Sequence, residues 1–339
     1  MPYSVKRVLN AVFIILLVLG LAACGQSDKN NTSKAESSPA SSGSPAASSA
    51  SPSASPSASQ AAQEDTAIRV EDALGTVELP RAPERIVAME FGFTDALVTL
   101  GVQPVGVADD GDPNLFMDAV RNQLTNYQSV GSRYEPNIEL ISSLQPDLII
   151  VDLNKHKEAF PQLKSIAPLL VLDDFQADYE QMLKNYGIIA KTVGREEEGA
   201  KRLEQHAAYI EDAKRRIKSS DLTVLPAVVN PNGFFAHSDH SYSGSFLASL
   251  GFEDPVKDEA SYPQLTLEQL TETNPGALFL MPTEEVTIVD EWKKNPLWNK
   301  LDAVASERVF TVERRDWSLA RGLIGSEKMI EDIANALGE

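Results

Sequence analysis

The stretch PNIELISSLQPDLIIV, residues 136–151, returns in altered form as LTLEQLTETNPGALFLM at residues 265–281. In both, a Glu stands seven residues before a Pro and an apolar run follows: Glu139 with Pro146, and Glu268 with Pro275, each pair offset by 129. The first copy reads as a helix with Glu139, Leu140, Ile141 and Leu144 in a turn pattern, stopped by Pro146, then DLIIV as a strand. A strand apolar at successive positions and set between helices belongs to a parallel sheet covered on both faces. Two copies of the unit predict two similar α/β lobes.

Working outward, each copy sits in the same order of elements. RIVAM at 85–89 is a strand, TDALVTL a short helix ending at Gly101, QPVGVA a second strand, and LLVLD a third that ends near Asp173. In the second half TVLPAVV at 223–229 is a strand, YSGSFLASL a helix ending at Gly251, and RVFTV at 308–312 a further strand. Leu100-Gly101 corresponds to Leu250-Gly251 with an offset of 150, so the copies differ in loop length, as loops do when sheets persist. Between them Leu203, Ala207, Ile210, Ala213 and Ile217 recur at four, three, three and four residues, one apolar helical stripe. The expected architecture is α/β: an N-terminal Rossmann-like lobe over 66–176, a helical connector over 177–218 and a C-terminal lobe over 219–339. The central sheets are mostly parallel, one long helix joins the lobes, and the ligand cleft lies between them. A stiff helical join limits movement of one lobe against the other.

The ends and the composition set the compartment. Lys6 and Arg7 precede VLNAVFIILLVLGLAA, which has the charged start, apolar middle and small-residue end of a secretory signal over residues 1–23. LAAC at 21–24 places the single Cys of the chain after two alanines, and this resembles the lipobox of bacterial lipoproteins, which implies cleavage before Cys24 and a lipid on its thiol. One Cys also excludes a disulfide framework. Residues 24–65, with SSPASSGSPAASSASPSASPSAS, hold almost no bulky apolar side chain and read as a disordered tether carrying the domain away from a membrane. The net charge is −19; removing residues 1–23 takes away two bases and no acid, leaving −21, a surface that repels nucleic acid.

Catalytic signatures are scarce: the chain has no GxSxG, no GxxxxGK[ST] and no HExxH. His237, Asp239 and His240 lie within four residues, but on a strand His240 faces away from the other two, so a polar cleft loop is the preferred reading over a zinc site. VERRDWSLARG at 312–322 sets Arg314, Arg315, Trp317 and Arg321 just past the last strand, where open α/β sheets bind ligands. Guanidinium forks match carboxylates, and an adjacent aromatic supplies an apolar wall. Arg133 in GSRYEP is placed to face them from the first lobe, and Glu90 is expected to pair with one of these arginines.

The chain from about 66 to its end resembles the substrate-binding lipoproteins of iron-siderophore ABC transporters, those whose two lobes are joined by one long helix. The resemblance rests on ERIVAMEFGFTDALVTLGVQPVGVADD, VGSRYEPNIELISSLQPDLIIV, SGSFLASLGF and LTLEQLTETNPGALFL. It implies a monomer without enzymatic activity or intrinsic cofactor, lipid-anchored at the extracytoplasmic membrane face, with Glu139 and Glu268 docking on basic residues of the permease. AMEFGFTDALVTLGV and ERRDWSLARG look like the subgroup that takes ferric citrate or other carboxylate siderophores. Iron would then be held by the siderophore's own oxygens, with no metal ligand from the protein. Arg133, Arg315 and Arg321 would bind carboxylates, with Trp317, Phe91 and Tyr242 around them. Two alternatives stand beside this: haem or cobalamin in the same fold, with Tyr242 or His240 as an axial ligand for haem, and a metal-dependent hydrolase built on His237, Asp239 and His240.

Overall fold

The computed structural model describes residues 67–217 and 222–338. The leader over 1–23, Cys24 and the tether over 24–65 lie outside the described residues. In chain order the first part contains β1 (Ile68–Asp72), β2 (Gly75–Leu79), β3 (Ile86–Ala88), α1 (Phe91–Thr99), β4 (Gly106–Val107) and α2 (Asp118–Arg121). It continues through β5 (Gln128–Ser129), α3 (Ile138–Ser143), β6 (Leu148–Asp152), α4 (Phe160–Lys164) and β7 (Leu169–Leu172). Two helices follow, α5 (Tyr179–Thr192) and α6 (Glu196–Lys214). The remainder comprises β8 (Val224–Asn230), β9 (Gly233–Ala236), α7 (Tyr242–Ser249), β10 (Gln264–Leu265), α8 (Leu267–Thr273) and β11 (Ala277–Pro282). It closes with α9 (Ile288–Trp292), α10 (Asp302–Ala305), β12 (Val309–Thr311) and α11 (Leu323–Leu337).

The repeated sequence unit occupies equivalent places in two sheets. The first sheet has the order β5-β4-β3-β6-β7 and is parallel throughout; the second has the order β10-β9-β8-β11-β12. With strands counted within each five-stranded sheet, both read 3-2-1-4-5, with α3–β6 and α8–β11 supplying the fourth strand and its preceding helix, while β1 and β2 pair as a separate antiparallel hairpin. In the second sheet β9 runs antiparallel to β8 because Pro231 and Asn232 form a tight link, with Asn230 facing Gly233. β6 is buried at all its residues, as a strand covered on both faces must be. Asn137 caps α3, and Thr266 with Gln269 forms a capping box on α8, so Glu139 and Glu268 both fall in an exposed first helical turn.

The connector differs from the sequence expectation in one respect. Residues 177–218 contain two helices, because the chain turns at Gly194 with φ +69°, a conformation that glycine tolerates at a helix end. The long joining helix is α6, with 19 residues. One apolar cluster runs through both lobes, from Ile86, Phe93 and Leu97 through Tyr186 and Ile189 to Tyr242, Phe246, Phe279 and Ile333. The lobes therefore share a core, and spreading them would expose apolar area on both sides. Polar contacts reinforce the join: buried His206 of α6 bonds Tyr179 Oη at 2.7 Å and Glu327 of α11 at 2.8 Å. Among the described residues no helix is long and apolar enough to cross a membrane.

Candidate functional site

Strands of both sheets end toward one cavity of about 190 Å³ between the lobes. Its lining from the first lobe includes Arg133, Tyr134, Lys155 and Phe175; from the second come His237, Tyr262, Arg314, Ser318 and Arg321. Four cationic side chains thus converge at the carboxyl ends of the strands, where open α/β sheets place their ligands.

Asp152, at the end of β6, organises the first-lobe half. Its Oδ1 accepts from the backbone N–H groups of Asn154 and Lys155, and its Oδ2 from those of Asp174 and Phe175. One buried carboxylate thereby fixes the loops after β6 and β7 and sets Lys155 and Phe175 at the cavity. Burial alone would raise its pKa, but these N–H groups hold it below the usual carboxylate range. Lys155 Nζ stands 4.8 Å from the ring centroids of both Tyr134 and Phe175, a cation between two aromatic faces.

Arg133 is held from three sides. Its Nε and Nη2 donate to Asp110 Oδ2 at 3.0 and 2.6 Å, and its guanidinium lies 4.0 Å over the Phe91 ring. Against the desolvation of burial, these bonds from Arg133 pull Asp110 below its ordinary pKa. Asp152 N–H donates to His156 Nδ1 at 2.8 Å, so His156 Nε2 carries the hydrogen and donates to the Arg133 carbonyl at 2.8 Å. Burial pushes His156 down to about 4, and the ring is neutral at pH 7.

The second-lobe half turns on a π-helical segment, Arg315–Leu319, in which Ala320 N–H bonds the Arg315 carbonyl five residues back. The widened turn directs Arg314, Ser318 and Leu319 to the cavity. Arg314 has no ion pair or hydrogen bond among the described residues, and its Nε is buried. Arg321 is committed elsewhere: Nε donates to the Ser318 carbonyl, Nη1 to the carbonyls of Asp174 and Phe175, and Nη2 to Tyr262 Oη. It clasps the second lobe to the first and leaves one N–H free. His237 hydrogen-bonds Ser243 through Nδ1 and meets the Tyr262 ring edge-on at 4.8 Å. Burial, then the charges of Arg321 and Arg314, pushes it down to about 3, so it enters the site neutral.

The sequence expectations divide accordingly. Arg133 and Arg321 line the cavity from opposite lobes. Arg315 does not: its Nε pairs with Asp316 at 2.7 Å and its Nη1 reaches Asp118 at 3.4 Å. Trp317 is a core residue rather than a cavity wall, fully buried and stacked on Phe279 at 4.7 Å, with Nε1 donating to Asp332. Phe91 lies behind Arg133, and Tyr242 Oη is bonded to the Gly322 carbonyl and Ser326, away from the cavity. His240 pairs with Asp239 on an outer groove while His237 faces inward. Among the described residues no group of three metal-ligating side chains forms. Sequence reasoning missed Lys155, Phe175 and Tyr262. The first two follow β6 and β7 directly, where the same strand-end rule used for β12 would have found them.

The stacking of Trp317 fixes what its loss would do. Trp317→Ala should cost about 3–5 kcal/mol of stability, as large aromatic deletions in cores do, read as a lower unfolding midpoint in urea.

A family model described as periplasmic binding protein matches residues 86–315. The Fe(3+)-citrate-binding protein YfmC of Bacillus subtilis (strain 168) is 37% identical over 333 residues, covering 98% of this chain and 97% of that protein. The Fe(3+) dicitrate-binding periplasmic protein FecB of Escherichia coli (strain K12) is 36% identical over 267 residues, covering 78% and 89%. Among solved structures, Staphylococcus aureus SirA complexed with staphyloferrin B superimposes with a TM-score of 0.70 at 27% identity, covering 79% of this chain and 98% of that one.

Proposed function

Because the chain belongs to the periplasmic binding protein family, we propose that it captures a ferric siderophore outside the cell and hands it to the permease of an ABC transporter. Ferric citrate, or another siderophore with carboxylate donors, is the favoured cargo. One observation carries this reading: four cations drawn from both lobes face one cavity, and the carboxylates beside them are already engaged as supports. Such a pocket suits an anionic chelate whose iron is saturated by its own oxygens. Arg314 and Lys155 supply charge at the front, Arg133 and Arg321 shape the sides, and Phe175, Tyr134 and Tyr262 form aromatic walls. Cys24 carries the lipid anchor, residues 24–65 form the tether, and Glu139 and Glu268, one exposed carboxylate per lobe, meet basic residues of the permease. The lobes span 66–176 and 219–339, and the protein acts as a monomer.

Calorimetric titration of the purified protein with ferric citrate, iron-free citrate, a ferric catecholate and a ferric hydroxamate tests the cargo. Saturable binding of ferric citrate with weaker binding of iron-free citrate is expected. Binding of the catecholate or hydroxamate alone would discard the carboxylate assignment, and binding of haem in place of all four would discard the siderophore assignment.

A further inference from the structure

Behind the cationic front of the cavity sits an acid whose placement the binding of an anion does not by itself require. Glu90 precedes α1 as its N-cap residue, yet its side chain makes no capping bond. It turns instead toward the cations, 1% exposed, with Oε1 2.7 Å from Lys155 Nζ and Oε2 3.6 Å from Arg133 Nη1. Oε1 has no hydrogen bond of good geometry among the described residues. Lys155 and Arg133 both line the cavity, so Glu90 touches the site only through them.

The groups facing Glu90 come from each neighbouring strand end. They are Lys155 and His156 after β6, the latter with Nε2 at 3.9 Å; Arg133 after β5, itself bound to Asp110 after β4; and Asp174 after β7. Arg321 contributes its charge from the second lobe. His156 is neutral, as its hydrogen bonds and burial require. The four cations that line the cavity are thus backed by four carboxylates, Glu90, Asp110, Asp152 and Asp174. Burial, and then the charge of Asp174, pushes Glu90 up to about 8, while Lys155 and Arg133 pull the other way. Asp174 is likewise raised, chiefly by burial.

We propose that Glu90 is a positioning and charge-setting residue, which holds Lys155 and Arg133 in place and takes up a proton when an anionic chelate enters the cavity. The inference rests on the anionic-ligand reading above. Physically, a ligand anion competes with Glu90 for the same two cations, and the arriving negative charge stabilises the protonated carboxyl. Capture therefore consumes protons. The sign follows: affinity is highest where Glu90 is already protonated in the empty protein, and it falls as pH rises through that carboxyl's raised pKa. The loss is at most about tenfold per pH unit for one proton.

The test uses ferric citrate and the full chain. Calorimetric titrations near pH 8 in Hepes and in Tris, whose ionisation heats differ, should give different apparent binding heats for the wild type. The same heats are expected in both buffers for Glu90→Gln. From about pH 7 to about pH 9 the wild-type affinity should fall relative to that of Glu90→Gln, a ratio from which the changing speciation of the chelate cancels. Equal heats in both buffers for the wild type, or parallel pH profiles for the two proteins, overturns the proposal and leaves the ligand reading intact. Failure of the wild type to bind ferric citrate at all sinks the ligand reading instead. In that case, or if Glu90→Gln does not fold, carboxyl ¹³C titration of the wild type with and without iron-free citrate decides the matter. A high-titrating carboxyl displaced further upward by citrate supports the coupling, and the absence of any such resonance or displacement removes it.

Discussion

Arg314→Ala is expected to weaken ferric citrate binding by about 100-fold, the equivalent of roughly 3 kcal/mol for losing a charge-assisted bidentate contact. The size follows from what Arg314 does when the site is empty. The other cations already have internal neighbours: Arg133 has Asp110, Lys155 lies 2.7 Å from Glu90 and between the Tyr134 and Phe175 rings, and Arg321 has three carbonyls and a phenol. Arg314 has no ion pair or hydrogen bond among the described residues, and the desolvation of its half-buried side chain, with Arg133 and Arg321 nearby, lowers its pKa. An unpaired cation with a buried Nε is held at a cost that an incoming carboxylate relieves. Arg314→Lys should recover only part of the loss, since an ammonium cannot offer the planar fork. Arg315→Ala, one residue away but paired with Asp316 and Asp118, should change affinity less than about threefold. Equal effects at 314 and 315 in a binding titration would refute the assignment.

The double substitution Glu139→Ala with Glu268→Ala should reduce iron uptake by cells by about 100-fold or more while leaving affinity for the ferric complex unchanged. Each carboxylate lies in the exposed first turn of a helix at the same place in its lobe, and neither lines the cavity. If each pairs with a permease arginine as proposed, each would contribute about 1.5–3 kcal/mol and fix one end of the docked protein, so losing both would remove register altogether. Either single change should give a partial defect. Full uptake by the double variant would show that docking runs through other residues.

Much of this was written in the sequence, at the level of periodicity. The α3–β6 and α8–β11 units announce themselves because a strand covered on both faces must be apolar at successive residues, and in both a Pro that cannot continue the helix follows its end. The break in the connector was also signalled, by Gly194 in TVGREEE, but the long apolar stripe of α6 drew the boundary past it. The site was legible as a place and not as a set of contacts. VERRDWSLARG lies where expected, but a π turn shifts the phase of its side chains, so that Arg314 and Ser318 face the cavity and Arg315 and Trp317 do not. No local periodicity encodes that shift, because it depends on Trp317 finding Phe279 and Asp332. The role of Asp152 was hidden for a similar reason: its four partners come from two loops that meet only in the fold.

The apolar cluster that runs unbroken from one lobe to the other has a consequence for traffic at the membrane. A body that resists bending shows nearly the same outline empty as loaded, and holds Glu139 and Glu268 at nearly the same spacing. On the proposed function, unloaded copies would then contend with loaded ones for the same importer. The supply of this protein relative to the importer would become a throttle: beyond parity, each additional copy would speed capture but lengthen the queue at the gate.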